Sequence, residues 1–171
     1  MRGWVLFVIA LAPSAYLAWS WRDMPQLGLH HDDGLYLVGA KSLAAGNGYR
    51  IESLPGQPFE TKYPPMLPLL LAPLWKFGPG FPAILKPAML LVWLMLPLYL
   101  YCMRAVFRQF GFGSREAWLL TFAAGMHPLI CLLSTAIMSD LLFLSLYLGC
   151  LLWAEKALEC RQGARLALAA G

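Results

Sequence analysis

Charge is scarce in this chain. Only 13% of its 171 residues are Asp, Glu, Lys or Arg, where a soluble globular domain carries about a quarter. That shortage excludes an ordinary water-soluble domain. With 60% hydrophobic residues and a mean hydropathy of +0.61, the composition is that of an integral membrane protein. Runs of basic residues are missing too. The formal charge of +4 and pI of about 9.0 come from single, scattered Lys and Arg, which argues against a nucleic-acid surface and suits side chains that set topology and anchor helix ends. Cysteine is sparse: Cys102, Cys131, Cys150 and Cys160 lie in or beside apolar segments, and no Cys-x-x-Cys occurs. Neither a disulfide framework nor a cysteine zinc site is expected, and the four read as small hydrophobes within helices.

What the chain does have is long apolar stretches. Gly3 to Trp21 is uncharged for 19 residues, close to the ~20 that cross a bilayer. A cleaved leader is the competing reading, since Ala12-Pro13-Ser14-Ala15 loosely resembles a small-residue cleavage site. The full apolar length, with Trp19 and Trp21 suited to an aromatic belt, favours a retained span over 3–21. A second span is expected over 82–103. The stretch from Ala117 to Ala154 is broken by one charge, Asp140, and is too long for one crossing. It is read as spans over 117–135 and 138–155 joined by a tight turn near Leu133 to Met138. His127-Pro128 should kink the third span, with His127 satisfying a freed carbonyl.

The polar stretch 22–81 is a long loop after the first span. Met66 to Trp75, ten apolar residues behind Pro64-Pro65, is too short to cross and reads as an interfacial helix. Gly78-Pro79-Gly80-Phe81-Pro82 then breaks the chain. The expected architecture is all-α integral membrane, with about four transmembrane helices and short juxtamembrane helices in the first loop. Arg104, Arg108 and Arg115 crowd one short connection, while the turn before Asp140 carries no Lys or Arg. By the positive-inside rule the N-terminus, the 104–116 connection and the C-terminal end are cytoplasmic. The long loop and the Ser139-Asp140 corner then share the outer side. The last residues, Arg165 to Gly171, resemble the start of another apolar segment, so the chain is expected to be the N-terminal part of something longer.

Candidate chemistry gathers on that outer side. Asp32-Asp33 precedes an amphipathic pattern (Leu35, Tyr36, Val38, Leu43, Ala44) that ends at Gly46-Asn47-Gly48. The acids read either as a helix cap or as a carboxylate base at the membrane surface, and the two roles are compatible. Asp32, Asp33 and His31 form a candidate set for a divalent metal ion, although adjacent histidines at 30 and 31 would point apart. Lys62, in Glu60-Thr61-Lys62-Tyr63-Pro64-Pro65, either anchors the interfacial helix or binds an anionic phosphate. Asp140 is an acid in an apolar stretch, expensive there by roughly 2.5–3.5 kcal/mol at a helix centre. It either caps the fourth span or points into the outer cavity. Lys86 snorkels at the second span's outer end or joins the same cavity as a phosphate-binding cation.

In this order, these residues resemble the GT-C superfamily of membrane glycosyltransferases, most closely the protein O-mannosyltransferase and bacterial lipid A aminoarabinose transferase branch. The likeness rests on Asp32-Asp33-Gly34-Leu35-Tyr36 behind the first span, the break Ala45-Gly46-Asn47-Gly48-Tyr49, Lys62-Tyr63-Pro64-Pro65, and Ser139-Asp140. It implies transfer of a sugar from a polyprenyl-phosphate carrier to an acceptor on the extracytoplasmic face of a bacterial inner membrane. It also implies an inverting reaction with Asp32 or Asp33 as general base. Lys62 and Lys86 would stabilise the departing phosphate, while Asp140 and Tyr36 would line the substrate site. The second acid departs from the family pattern, where Glu is common, and Gly34 loosens the helix start. The family's later spans, which help build the donor pocket, lie outside this sequence. The rival readings are a transporter or flippase fragment, whose acids would sit nearer the bilayer midplane, and an inactive remnant.

Overall fold

The computed structural model describes residues 3–23 and 27–170. Among these residues the chain is helical and has no strand; one isolated antiparallel bridge, Arg50 with Phe59, closes the tip of the polar loop. The helices are α1 (Gly3–Ser20), α2 (Asp33–Ala44), α3 (Met66–Phe77), α4 (Leu85–Trp93), α5 (Met95–Gln109), α6 (Ser114–Gly125), α7 (Pro128–Leu133) and α8 (Asp140–Ala170).

Among the described residues, three helical stretches are long and apolar enough to cross a membrane: Gly3–Ser20, Leu85–Gln109 and Asp140–Leu158. The second is α4 and α5 joined through a step at Leu94. Pro97 explains the step, because it has no N–H for the Trp93 carbonyl and its ring crowds that carbonyl.

The stretch 117–135, expected as one kinked span, is not one continuous helix. It is two helices of 12 and 6 residues, separated at Met126 and His127. Pro128 ends one helix and begins the next, rather than kinking a continuous one. His127 also differs from expectation. Its ring Nδ1 accepts the Leu129 N–H at 3.3 Å, capping α7, and it satisfies no freed carbonyl. The turn expected before Asp140 is present over 134–139.

Two apolar cores hold these elements. One joins α2, α3 and α4 through Leu37, Ala40, Leu67, Leu71, Ala88 and Val92, and takes in Ile137 and Leu142. The other joins α1, α5 and α8 through Ala10, Leu96, Tyr99, Leu100 and Leu141. Helix α1 meets α6 through small residues: Gly3 lies flat against the Trp118 indole, and Gly125 lies against Ala10. Leu67 and Leu71 of α3 are buried on α2, while Met66, Leu69, Leu70 and Phe77 stay exposed. A short helix with one apolar face packed and another bare suits a membrane interface.

Helix α2 ends in a Schellman motif. The N–H groups of Gly46 and Asn47 return to the Leu43 and Ser42 carbonyls, with Gly46 at φ +81°. The break foreseen at 46–48 is therefore a helix terminus. From there the loop folds back, so that α2, the start of α3 and the start of α8 meet at one end of the bundle.

Candidate functional site

The two adjacent acids have separate environments. Asp33 is 1% exposed, and a buried carboxylate must be compensated. Backbone amides do this: Oδ2 accepts the N–H of Gly28 at 2.7 Å and of His30 at 3.3 Å, and Oδ1 accepts that of Gly34 at 2.6 Å. Gly28 stands at φ +88°, a conformation that favours glycine. Asp33 thus ties the 28–34 turn to the first turn of α2.

Asp32 occupies the N-cap position of α2, yet its side chain makes no capping hydrogen bond. It reaches across to the segment before α3, where the Tyr63 hydroxyl donates to Oδ1 at 2.5 Å. The Lys62 ammonium in turn donates to the Tyr63 hydroxyl at 2.7 Å and lies 4.6 Å from the centre of the same ring. Glu60 aims this pair, because its Oε1 accepts the N–H groups of Lys62 at 2.7 Å and Tyr63 at 3.2 Å. The hydrogen bond to the Tyr63 hydroxyl holds the Lys62 pKa above its ordinary value, with the Asp32 and Glu60 carboxylates adding smaller upward effects. Lys62 stays cationic. Among the described residues, Oδ2 of Asp32 has no hydrogen-bond partner.

Tyr36 lies one turn along α2 from Asp32, whose carbonyl accepts its N–H at 3.1 Å. Its ring packs edge-on against Tyr63, with centroids 5.5 Å apart. Its hydroxyl shares a 2.8 Å hydrogen bond with Ser139, the residue before α8. Burial is the main influence raising the Tyr36 pKa. The Ser139 hydrogen bond opposes it, and the charges of Asp32 and Asp140 push upward. Asp140 is therefore close enough to be felt at Tyr36. The acid pair, Tyr36, Lys62 and the Ser139-Asp140 corner come together at one end of the bundle.

Lys86 does not join this cluster. It pairs with Asp23 at 2.7 Å and lines a separate cavity beside α1. The candidate metal set is not assembled either. Asp33 has turned its oxygens to backbone amides, His31 is exposed, and among the described residues no three His, Cys, Asp or Glu side chains are grouped to hold a metal ion. These residues do not fit a divalent cation.

Two participants carried no assigned chemistry in the sequence. Tyr63 joins the Asp32 carboxylate to the Lys62 ammonium, although Asp32 is 31 positions away and no local pattern links them. Tyr49 packs its ring against Gly39 of α2, leaving its hydroxyl buried and, among the described residues, without a partner. Burial, with help from Glu60 and Tyr36, pushes its pKa up to about 12. Its position after the glycine-rich break was the available signal, but nothing there pointed to the Tyr36 side of the fold.

The arrangement can take a proton at Asp32, keep a positive charge about one tyrosine hydroxyl away, and hold both on a frame set by Asp33 and Glu60. No protein-family model, curated protein or solved structure matches this chain.

Proposed function

We propose that this end of the bundle is the catalytic corner of a GT-C-type membrane glycosyltransferase, moving a sugar from a polyprenyl-phosphate donor to a hydroxyl acceptor on the extracytoplasmic face. The observation that carries the reading is the line from Lys62 through the Tyr63 hydroxyl to Asp32, which sets a cation beside a carboxylate whose second oxygen has no hydrogen-bond partner among the described residues. The arginines of the 104–116 connection support the outward orientation.

In this reaction the acceptor O–H approaches Oδ2 of Asp32. Its oxygen attacks the anomeric carbon as the proton passes to the carboxylate. The bond from that carbon to the phosphate oxygen breaks on the opposite side, so the configuration inverts, and the electron pair leaves with the polyprenyl phosphate. The leaving group gains negative charge as the bond breaks. Lys62 faces that charge, and a cation already fixed in place stabilises it without reorganisation. Tyr36, Ser139 and Asp140 form the opposite wall, where a polar acceptor would be oriented. Asp33 has no proton to move; it keeps the loop in place.

The gathering of acids at one end of the spans, rather than halfway along them, favours this reading over a transporter. The test is an assay of membranes carrying the full chain, supplied with polyprenyl-phosphate-linked mannose or aminoarabinose, that measures release of polyprenyl phosphate. Release that falls about 10²–10⁴-fold in Asp32→Asn, the range for loss of a general base, supports the proposal. Equal release from wild type and variant overturns it.

A further inference from the structure

Between the outer ends of α1 and α4 lies an apolar cavity of about 290 Å³, walled by Ala15, Ala18, Met89, Leu90 and Trp93, with Thr135 beside it. Arg22, Lys86 and Trp19 also line it. Its depth is similar on both walls. Seven residues separate Arg22 from Ala15 on one side and Lys86 from Trp93 on the other, roughly 10 Å of helix each. Trp93 is fixed there by its indole N–H, which donates to the Ser14 hydroxyl at 3.2 Å.

The rim is cationic. Asp23 accepts from Lys86 at 2.7 Å and lies 3.4 Å from Arg22, so one carboxylate faces two cations. All three side chains are about half exposed or more, and Arg22 stacks over the Trp19 ring at 4.3 Å. A tryptophan and a group of two cations and one carboxylate, net positive by one charge, above an apolar slot match the interface of a bilayer, where a phosphate lies above a hydrocarbon chain.

We propose that this cavity binds an anionic phospholipid, with one acyl chain between α1 and α4 and its phosphate against the exposed faces of Arg22 and Lys86, beside the Asp23 carboxylate that bridges them. The volume is at the small end for ligand sites, roughly 300–1,000 Å³, and accommodates one chain rather than a whole lipid. Charge complementarity selects an anionic headgroup over a zwitterionic one, because Asp23 already balances one cation and leaves the other. Phospholipid is the most abundant phosphate-bearing chain at that depth. The proposal stands apart from the glycosyl-transfer reading, since none of these residues touches Asp32, Lys62 or Tyr63.

Trp93 provides the measurement. The full chain is placed in bicelles of phosphatidylcholine containing a small fraction of phosphatidylglycerol brominated along its acyl chains, and tryptophan quenching is compared with that by brominated phosphatidylcholine at the same fraction. Excess quenching by the anionic lipid is expected, and Trp93→Phe should remove most of it. Arg22→Gln and Lys86→Gln should each weaken the anionic preference about fivefold, the size of one interfacial cation's attraction. No excess in the wild type overturns the proposal, as does an excess unchanged in the Arg22→Gln, Lys86→Gln double variant. Displacement of the brominated lipid by polyprenyl phosphate at tenfold lower concentration also overturns it, assigning the cavity to the carrier instead.

Discussion

The Tyr63 hydroxyl donates to Asp32 Oδ1 at 2.5 Å, joining the first turn of α2 to the residue before Pro64-Pro65. This contact separates two acids that are neighbours in sequence. Asp32 is turned toward a phenol and a cation, whereas Asp33 is turned inward to three backbone amides.

The two aspartates should therefore fail differently. In Asp33→Asn the amide nitrogen must face at least one backbone donor, and a buried N–H loses its acceptor. A loss of about 1–3 kcal/mol of stability is expected, seen as earlier thermal unfolding in detergent. Asp32→Asn should unfold like the wild type while losing transfer. Equal destabilisation by both would contradict the division of roles.

Tyr63→Phe removes one hydroxyl that serves two partners. Lys62 loses an acceptor and Asp32 a donor, while the edge-on packing with Tyr36 remains. The net loss of such hydrogen bonds is about 0.5–1.5 kcal/mol each, so transfer should fall about tenfold with little change in folding. Lys62→Gln should fall further, because it also removes the charge facing the leaving phosphate. If Tyr63→Phe matched the wild type in turnover, the tyrosine would be packing alone.

Tyr49 gives a pH signature. Its phenol should ionise near 12 in the folded protein, against 10.0 for an ordinary tyrosine. Between these values the folded chain holds a proton that the unfolded chain has released, so stability is full below pH 10 and declines as pH rises through 12. Absorbance titration of the phenolates should show a late-ionising tyrosine that disappears in Tyr49→Phe. Because the hydroxyl has no partner among the described residues, that substitution should not destabilise the protein at neutral pH. A titration curve identical in both proteins would refute the assignment.

Uncharged length was enough to find α1, α8 and the joined α4–α5 span, because crossing a bilayer requires little else. The same criterion could not divide 117–135. An apolar stretch reads alike as one crossing or two short helices, and only His127-Pro128 marked the break. At the site, the acid pair and Lys62 were visible as residue types in an unusual place. Their relationships were not. Local chemistry treats Asp32 and Asp33 as equivalent, and only the positive-φ turn at Gly28 brings amides to one of them. Lys86 was read with the acids because the positive-inside rule expects it on their side of the membrane, yet Asp23 lies closer and holds it.

The crossing of α1 and α6 depends on the absence of side chains. A Cβ at Gly125 would lie 2.9 Å from the Ala10 Cβ, 3.2 Å from the Ala10 carbonyl oxygen and 3.2 Å from Leu100 Cδ1. The backbone oxygen cannot rotate away, so Gly125→Ala must push the helices apart. Overpacking of this kind costs about 1–3 kcal/mol, while the higher helix propensity of alanine returns about 0.8–1.0. Gly125→Ala should therefore unfold at lower temperature in detergent. Gly149→Ala, where an added Cβ meets nothing within 4 Å, should gain from propensity alone and unfold later. A Gly125→Ala protein as stable as the Gly149→Ala protein would mean that α1 and α6 do not approach this closely.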